Sequence, residues 1–216
     1  MARSEPKGEL WVKDYMTPER LQILRAADRA LKELRRREIL TGKTLLDDVE
    51  DRLGRLAETP ASVVLVLQRF YWTTRAYHDY CVDDFAGARQ ALDQAHQAVA
   101  AAIEIAPFLL PLAYHCHEFR LQRARVARTQ NHLSEMAGHL QEVRAMLEDR
   151  TPLCILSDGR PIDLSAVTGF YRGIPSLDPV ELESLRVFFD EEYRRDRTTR
   201  LLMSLYVLPG FVIPYP

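Results

Sequence analysis

The chain has 216 residues, of which 47% are hydrophobic and 28% charged, with a formal net charge of -2. That length suits one domain or one domain with extensions, and 29 basic against 31 acidic residues give no global pull toward nucleic acid or an acidic membrane, so either would need a local patch. Three scattered cysteines (Cys81, Cys116, Cys154), no CxxC pair, no apolar leader in MARSEPKGELW and no apolar run of membrane-spanning length predict a cytoplasmic chain with free thiols and no membrane span.

Residues 1–16 are polar and without periodicity, a loose arm. Thr17-Pro18 opens a helix as N-cap and first-turn proline, and Leu24, Ala27, Leu31 and Leu34 form its apolar stripe. Thr41-Gly42 is expected to end it, with glycine as the left-handed terminator. A second helix is expected from near Thr44, with Leu45, Val49, Leu53 and Leu56 on one face, so the two form a hairpin. After Thr59-Pro60 a third helix runs to about Tyr80. Its Val63–Leu67 run is apolar all round, which places it inside. A buried strand is the alternative for that run, but the pattern continues to Tyr77 and Cys81 and favours helix. Asp83-Asp84 caps an alanine-rich helix through Ile105; Pro107 and Pro111 interrupt; a helix follows from Leu112 to about Arg128, and Asn131 caps the next, to Asp149.

The predicted fold is therefore all-α. About seven helices form antiparallel pairs, either in a repeat-like stack or in an irregular bundle, with 17–150 as the helical domain. Residues 151–177 read as a connecting loop or a small hairpin around Asp158-Gly159. Asp178-Pro179-Val180-Glu181 is a helix start with cap, first-turn proline and reaching glutamate. The 178–216 region is thus a C-terminal helix to about Arg200 followed by an apolar, proline-rich docking tail.

A 48-residue repeat is present. Phe85, Ala88, Leu92, Ala95 and Val99 fall on Leu133, Met136, Leu140, Val143 and Leu147, and such units bury their faces only by stacking. The stretch Tyr77 to Val99, with Asp84-Phe85 followed by Ala88, Leu92 and Ala95, resembles the tetratricopeptide repeat, and the resemblance extends over about residues 60–150. It implies stacked helix-turn-helix pairs that bind peptides and proteins on a concave face. The chain departs from that family in its long period, in Val82 where a glycine is usual, and in an offset Pro107. An ordinary bundle of amphipathic helices gives the same spacing of three and four.

No residue cluster identifies a reaction. Gly42-Lys43-Thr44 lacks the preceding strand and the earlier glycine of a phosphate loop, Arg37 standing there. The six histidines offer no pair at helical ligand spacing and there is no ExxH, so neither a metal nor another cofactor is expected. Tyr114-His115-Cys116-His117-Glu118 is the densest polar cluster. His115 and Glu118 share a helix face as an acid–base or ligand-orienting pair, and Tyr114 and Arg120 complete a candidate binding patch. Arg35-Arg36-Arg37 and Arg120, Arg123, Arg125 and Arg128 are basic stretches. Arg125 and His132, six residues between them, resemble the spacing of the helical HEPN-type ribonucleases, although Val126 stands where a polar residue is usual and Arg89 and His96 repeat the interval. In the tail, Leu205, Tyr206, Phe211 and Ile213 would expose a large apolar area unless they dock on another protein, on a second copy or on the bundle itself. The functional expectation is a non-enzymatic protein-interaction module, a structural subunit or adaptor of a larger cytoplasmic assembly. The alternative is a helical nucleic-acid-binding protein or HEPN-like ribonuclease.

Overall fold

The computed structural model describes residues 17–56 and 59–173. They form seven α-helices, α1 (Pro18–Arg35), α2 (Ile39–Gly54), α3 (Ala61–Cys81), α4 (Phe85–Ile105), α5 (Cys116–Thr129), α6 (Leu133–Leu147) and α7 (Leu164–Gly173), with a 3-10 segment (Pro107–His115) before α5 and two short strands, β1 (Cys154–Ile155) and β2 (Pro161–Ile162), before α7. The fold is all-α, and the Val63–Leu67 run is helical, with Val63, Val66 and Leu67 fully buried. None of the described helices is long and apolar enough to cross a membrane.

Three helix hairpins are joined by one kind of turn. Arg37, Asp83 and Asn131 sit at φ 68°, 61° and 60°, and the residue after each closes a six-to-one backbone bond onto the preceding helix: Glu38 to Glu33 at 3.0 Å, Asp84 to Asp79 at 2.9 Å, His132 to Ala127 at 2.8 Å. This is the Schellman closure, made here without glycine. Asp84 then caps α4 by accepting from the Gly87 N–H at 2.9 Å. Thr17 caps α1, accepting from the Arg20 N–H at 3.5 Å.

Three sequence expectations shift. The first helix ends at Arg35, not at Thr41-Gly42, because Arg37 takes the left-handed position; Gly42 lies inside α2. Asn131 is likewise the turn residue, and His132 precedes α6 as its N-cap. The helix expected from Leu112 begins at Cys116; Pro107 and Pro111 hold the segment before it in tighter 3-10 turns, since neither can donate to an α-helical ladder.

The common turn brings the second helices into register. One, four, eight, eleven and fifteen residues past the cap stand Ile39, Gly42, Leu46, Val49 and Leu53 in α2, Phe85, Ala88, Leu92, Ala95 and Val99 in α4, and Leu133, Met136, Leu140, Val143 and Leu147 in α6. Within each pair the helices pack along each other, α3 lies on both α1 and α2, and α5 lies on α4. The core is correspondingly continuous, from Ile23 and Leu34 through Leu67, Leu92 and Phe119 to Leu153 and Val167.

The Asp158-Gly159 turn is a hairpin turn: Gly159 takes φ 83°, and β1 pairs antiparallel with β2, Cys154 opposite Ile162. Leu153, Leu156 and Ile162 are buried. Cys154 lies against Cys116, and the hydrogen bond between the two thiols, with burial, pushes Cys116 well above the ordinary thiol range. α7 was not anticipated. Asp163 caps it by accepting from the Ala166 N–H and the Ser165 hydroxyl, both at 2.8 Å, and it packs on the 3-10 segment.

Gly42 is required by the approach of α1. A Cβ there would stand 2.5 Å from Leu34 Cδ2 and 2.6 Å from its Cγ, and Leu34 is wholly buried. Gly42→Ala should therefore destabilise the protein by about 1–3 kcal/mol, whereas Gly54→Ala, with nothing within 4 Å, should stabilise it by about 0.5–1 kcal/mol. Urea-denaturation midpoints of the two variants check this; an unchanged midpoint for Gly42→Ala contradicts the close approach.

Candidate functional site

The first helices of the three hairpins, α1, α3 and α5, line one groove of about 410 Å³. Because they run parallel, their side chains fall in rows. Leu24, Ala27, Asp28, Leu31 and Arg35 come from α1, and Phe70, Thr73, Tyr77 and Tyr80 from α3. Glu118, Gln122 and Arg125 come from α5, with His115 just before it. The apolar strip is thus flanked by polar groups at both ends.

At one end Arg69 is 6% exposed. Its guanidinium lies 4.5 Å from the Phe70 ring centre and 6.0 Å from that of Phe119, close enough for a cation–π contribution. Glu118 Oε2 is 3.8 Å from Nη2, an ion pair without a short hydrogen bond. Nε has no hydrogen-bond partner among the described residues. Burial pushes the Arg69 guanidinium below its ordinary value and Glu118 opposes that. A buried donor left unmatched costs about 1–3 kcal/mol. His115 Nδ1 stands 3.3 Å from Glu118 Oε1, but it is not aligned as a hydrogen bond and is also unmatched among the described residues. Burial drives His115 below its ordinary value against the pull of Glu118. Burial would raise the Glu118 carboxyl, but His115 and Arg69 outweigh it and hold the group below the carboxylate norm.

At the other end Tyr77 and Tyr80 stack, ring centres 6.2 Å apart and planes at 27°, and Tyr80 Oη shares a hydrogen bond with Thr129 at 3.0 Å. Arg35 and Arg125 flank them. Arg125 donates to Gln122 at 3.1 Å; neither arginine forms an ion pair with a carboxylate of the described residues.

The expected patch divides. His115 and Glu118 line the groove, while Tyr114 and Arg120 do not. Tyr114 packs its ring 4.7 Å from that of His117. Arg120 is held by Glu142 at 3.2 Å, tying α5 to α6, and borders a recess of about 90 Å³ with His96, Phe119 and Arg123. Arg125 and His132 face different partners, since His132 Nδ1 lies 3.3 Å from Glu135 Oε2, the carboxylate that also takes Arg89 at 3.1 and 3.3 Å. No group of three metal-ligating side chains occurs among the described residues. Leu205, Tyr206, Phe211 and Ile213 lie outside the described residues. Arg35 was visible only as part of the Arg35-Arg36-Arg37 basic stretch, and the contributions of Arg69, Phe70 and Tyr77 were not singled out as a site from the sequence; they share the groove only because the first helices of the hairpins are brought together. Compared with known proteins, the chain matches no family model, no curated protein and no solved structure.

Two largely covered imidazoles, His115 and His96, make a pH dependence. His96 is also depressed, by burial and then by Arg120 and Arg123. Between the lowered folded values and ~6.5 for an unfolded histidine, the unfolded chain binds more protons, so stability is full above that value and falls on acidification. Denaturation midpoints should drop between about pH 7.5 and 5.5, and the His96→Gln, His115→Gln double variant should flatten that slope. Equal slopes would contradict the desolvation of these rings.

Proposed function

We propose that the chain is a non-enzymatic protein-interaction module whose groove between α1, α3 and α5 receives an extended, acidic segment of a partner protein. The observation that carries this reading is the arrangement of polar and cationic groups about an apolar strip: at one end the Arg69 Nε and His115 Nδ1 atoms, without hydrogen-bond partners among the described residues, at the other Arg35 and Arg125, without a carboxylate partner among them, and Leu24, Leu31 and Phe70 between. From Arg69 to Tyr80 the groove follows eleven helical steps, about 16 Å, the length of about five extended residues. The three in-register hairpins support a tetratricopeptide-like way of presenting that face. The apolar tail, with Leu205, Tyr206, Phe211 and Ile213, fits an adaptor or subunit of a larger assembly, contacting a partner or a second copy.

Affinity selection of random extended peptides on the purified full chain tests this. Acidic peptides with an apolar centre should be enriched, and the Arg35→Glu, Arg125→Glu double variant should bind them at least about tenfold more weakly, a loss of about 1.4 kcal/mol, with an unchanged unfolding midpoint. Equal binding by the variant, or enrichment of basic peptides, would refute the groove as the binding face.

The stacked Tyr77–Tyr80 pair beside two arginines favours a second reading, single-stranded nucleic acid laid on aromatic platforms. Uridine oligomers at low salt decide it: binding that weakens steeply with added salt and is lost in Tyr77→Ala supports it, and absence of binding removes it. The ribonuclease form, with Arg125 and His132 as the reacting pair, further requires that His132→Ala abolish cleavage.

A further inference from the structure

We infer that residues 178–193 dock as a helix along the exposed stripe of α6, supplying the layer that the third hairpin lacks. The three second helices carry the same apolar register, but only two bury it. Eight residues past the cap, Leu46 and Leu92 are 2% and 1% exposed, whereas Leu140 is 44% exposed. Leu133 and Leu147, at the first and last positions, are 57% and 42% exposed, while Val99, the counterpart of Leu147, is wholly buried. The difference has a physical cause in the packing: α3 lies on α2 and α5 lies on α4, and α7, the next helix in the chain, turns away onto the 3-10 segment. A repeat stack whose last apolar face is open exposes surface that a terminal layer ordinarily covers.

Chain length and apolar spacing beyond α7 fix the occupant. Asp149, just past α6, accepts from the Ser165 N–H at the start of α7 at 3.1 Å, so α7 sets out beside the C-terminal end of α6. The nine steps of α7 from Leu164 to Gly173 cover about 13.5 Å, and the five chain steps from Gly173 to Asp178 reach about 17 Å when extended, enough to return to that end. The Asp178-Pro179 helix start comes next. Beyond it Leu182, Leu185, Phe189 and Tyr193 recur at intervals of three, four and four, with Phe188 beside them, a single apolar stripe. From residue 178 to 193 a helix covers about 22 Å, and Leu133 to Leu147 on α6 covers about 21 Å. Running antiparallel, Leu182 meets Leu147 and Phe189 meets Leu140. Arg144, within the α6 stripe and already paired to Glu148 at 2.7 Å, then lies one helical turn from the level of Glu181. This inference is independent of what the groove binds.

Trypsin reports the docking, because Arg186 lies in the middle of the segment and cleavage there needs the helix to open. On the full chain, the Arg186–Val187 bond should be cut at least about tenfold faster in Leu140→Asp, and in Phe189→Asp, than in the unsubstituted protein. Circular dichroism and the unfolding midpoint of Phe189→Asp, which lies outside the stack, show that the hairpins themselves persist. Cutting at equal rates in the unsubstituted and both substituted chains would overturn the inference. So would protection that rises with protein concentration in step with a dimer seen by light scattering, since the stripe would then belong to a second copy.

Discussion

A helix with leucines on two adjoining sides cannot satisfy both against one partner. In this chain α2 and α4 each meet their own first helix on one side and the first helix of the next hairpin on the other. That shared burial is the constraint on which the remainder depends. Leu46 and Leu92 are sealed by it, and Gly42 and Ala88 are small at the same point of the register, so that helix backbones approach closely. Burial of one such leucine contributes about 1.5–3 kcal/mol. The non-glycine left-handed turns at Arg37, Asp83 and Asn131 are strained by comparison with glycine, and the packing they set in register offsets that strain.

The same constraint makes the groove. When second helices interlock, first helices are left parallel with their outer faces in one surface, and side chains distant in sequence become neighbours: Leu31, Tyr77 and Gln122 share one wall. Arg69 reaches that wall from inside the core, held over Phe70 with Glu118 at arm's length. A guanidinium buried without a full set of acceptors is destabilising by itself, a cost that the proposed anionic partner would offset at the groove's end. Outside the groove most arginines are already engaged: Arg89 with Glu135, Arg120 with Glu142, Arg123 with Asp93. They hold α6 and α4 to their neighbours.

The helical class and the 48-residue repeat were legible because they rest on local spacing, three and four residues at a time. The third copy of the repeat was hidden for two reasons: the first hairpin is two residues shorter, with caps at Glu38, Asp84 and His132, and Gly42 read as a terminator although it serves a close contact with Leu34. Arg37 gave no sign of its left-handed turn, since arginine has no preference for it. The Asp158-Gly159 hairpin was visible in its dipeptide, while α7 was not: Leu164–Gly173 carries Val167, Thr168 and two glycines, and its start depends on the Asp163 cap. His115 and Glu118 were found together because they share one turn. Arg69, Phe70 and Tyr77 were not, because a site drawn from three helices has no signature in any one of them.

Residue-resolved native-state hydrogen exchange tests the nested stack most directly, because protection reports how completely each helix is covered. The middle hairpin is covered on both sides, so amides of Val66–Tyr71 in α3 and Leu92–Val99 in α4 should exchange slowest, with slower exchange than those of α1 and α6. Faster exchange in α3 than in α1 or α6 would contradict the stacking that creates the groove.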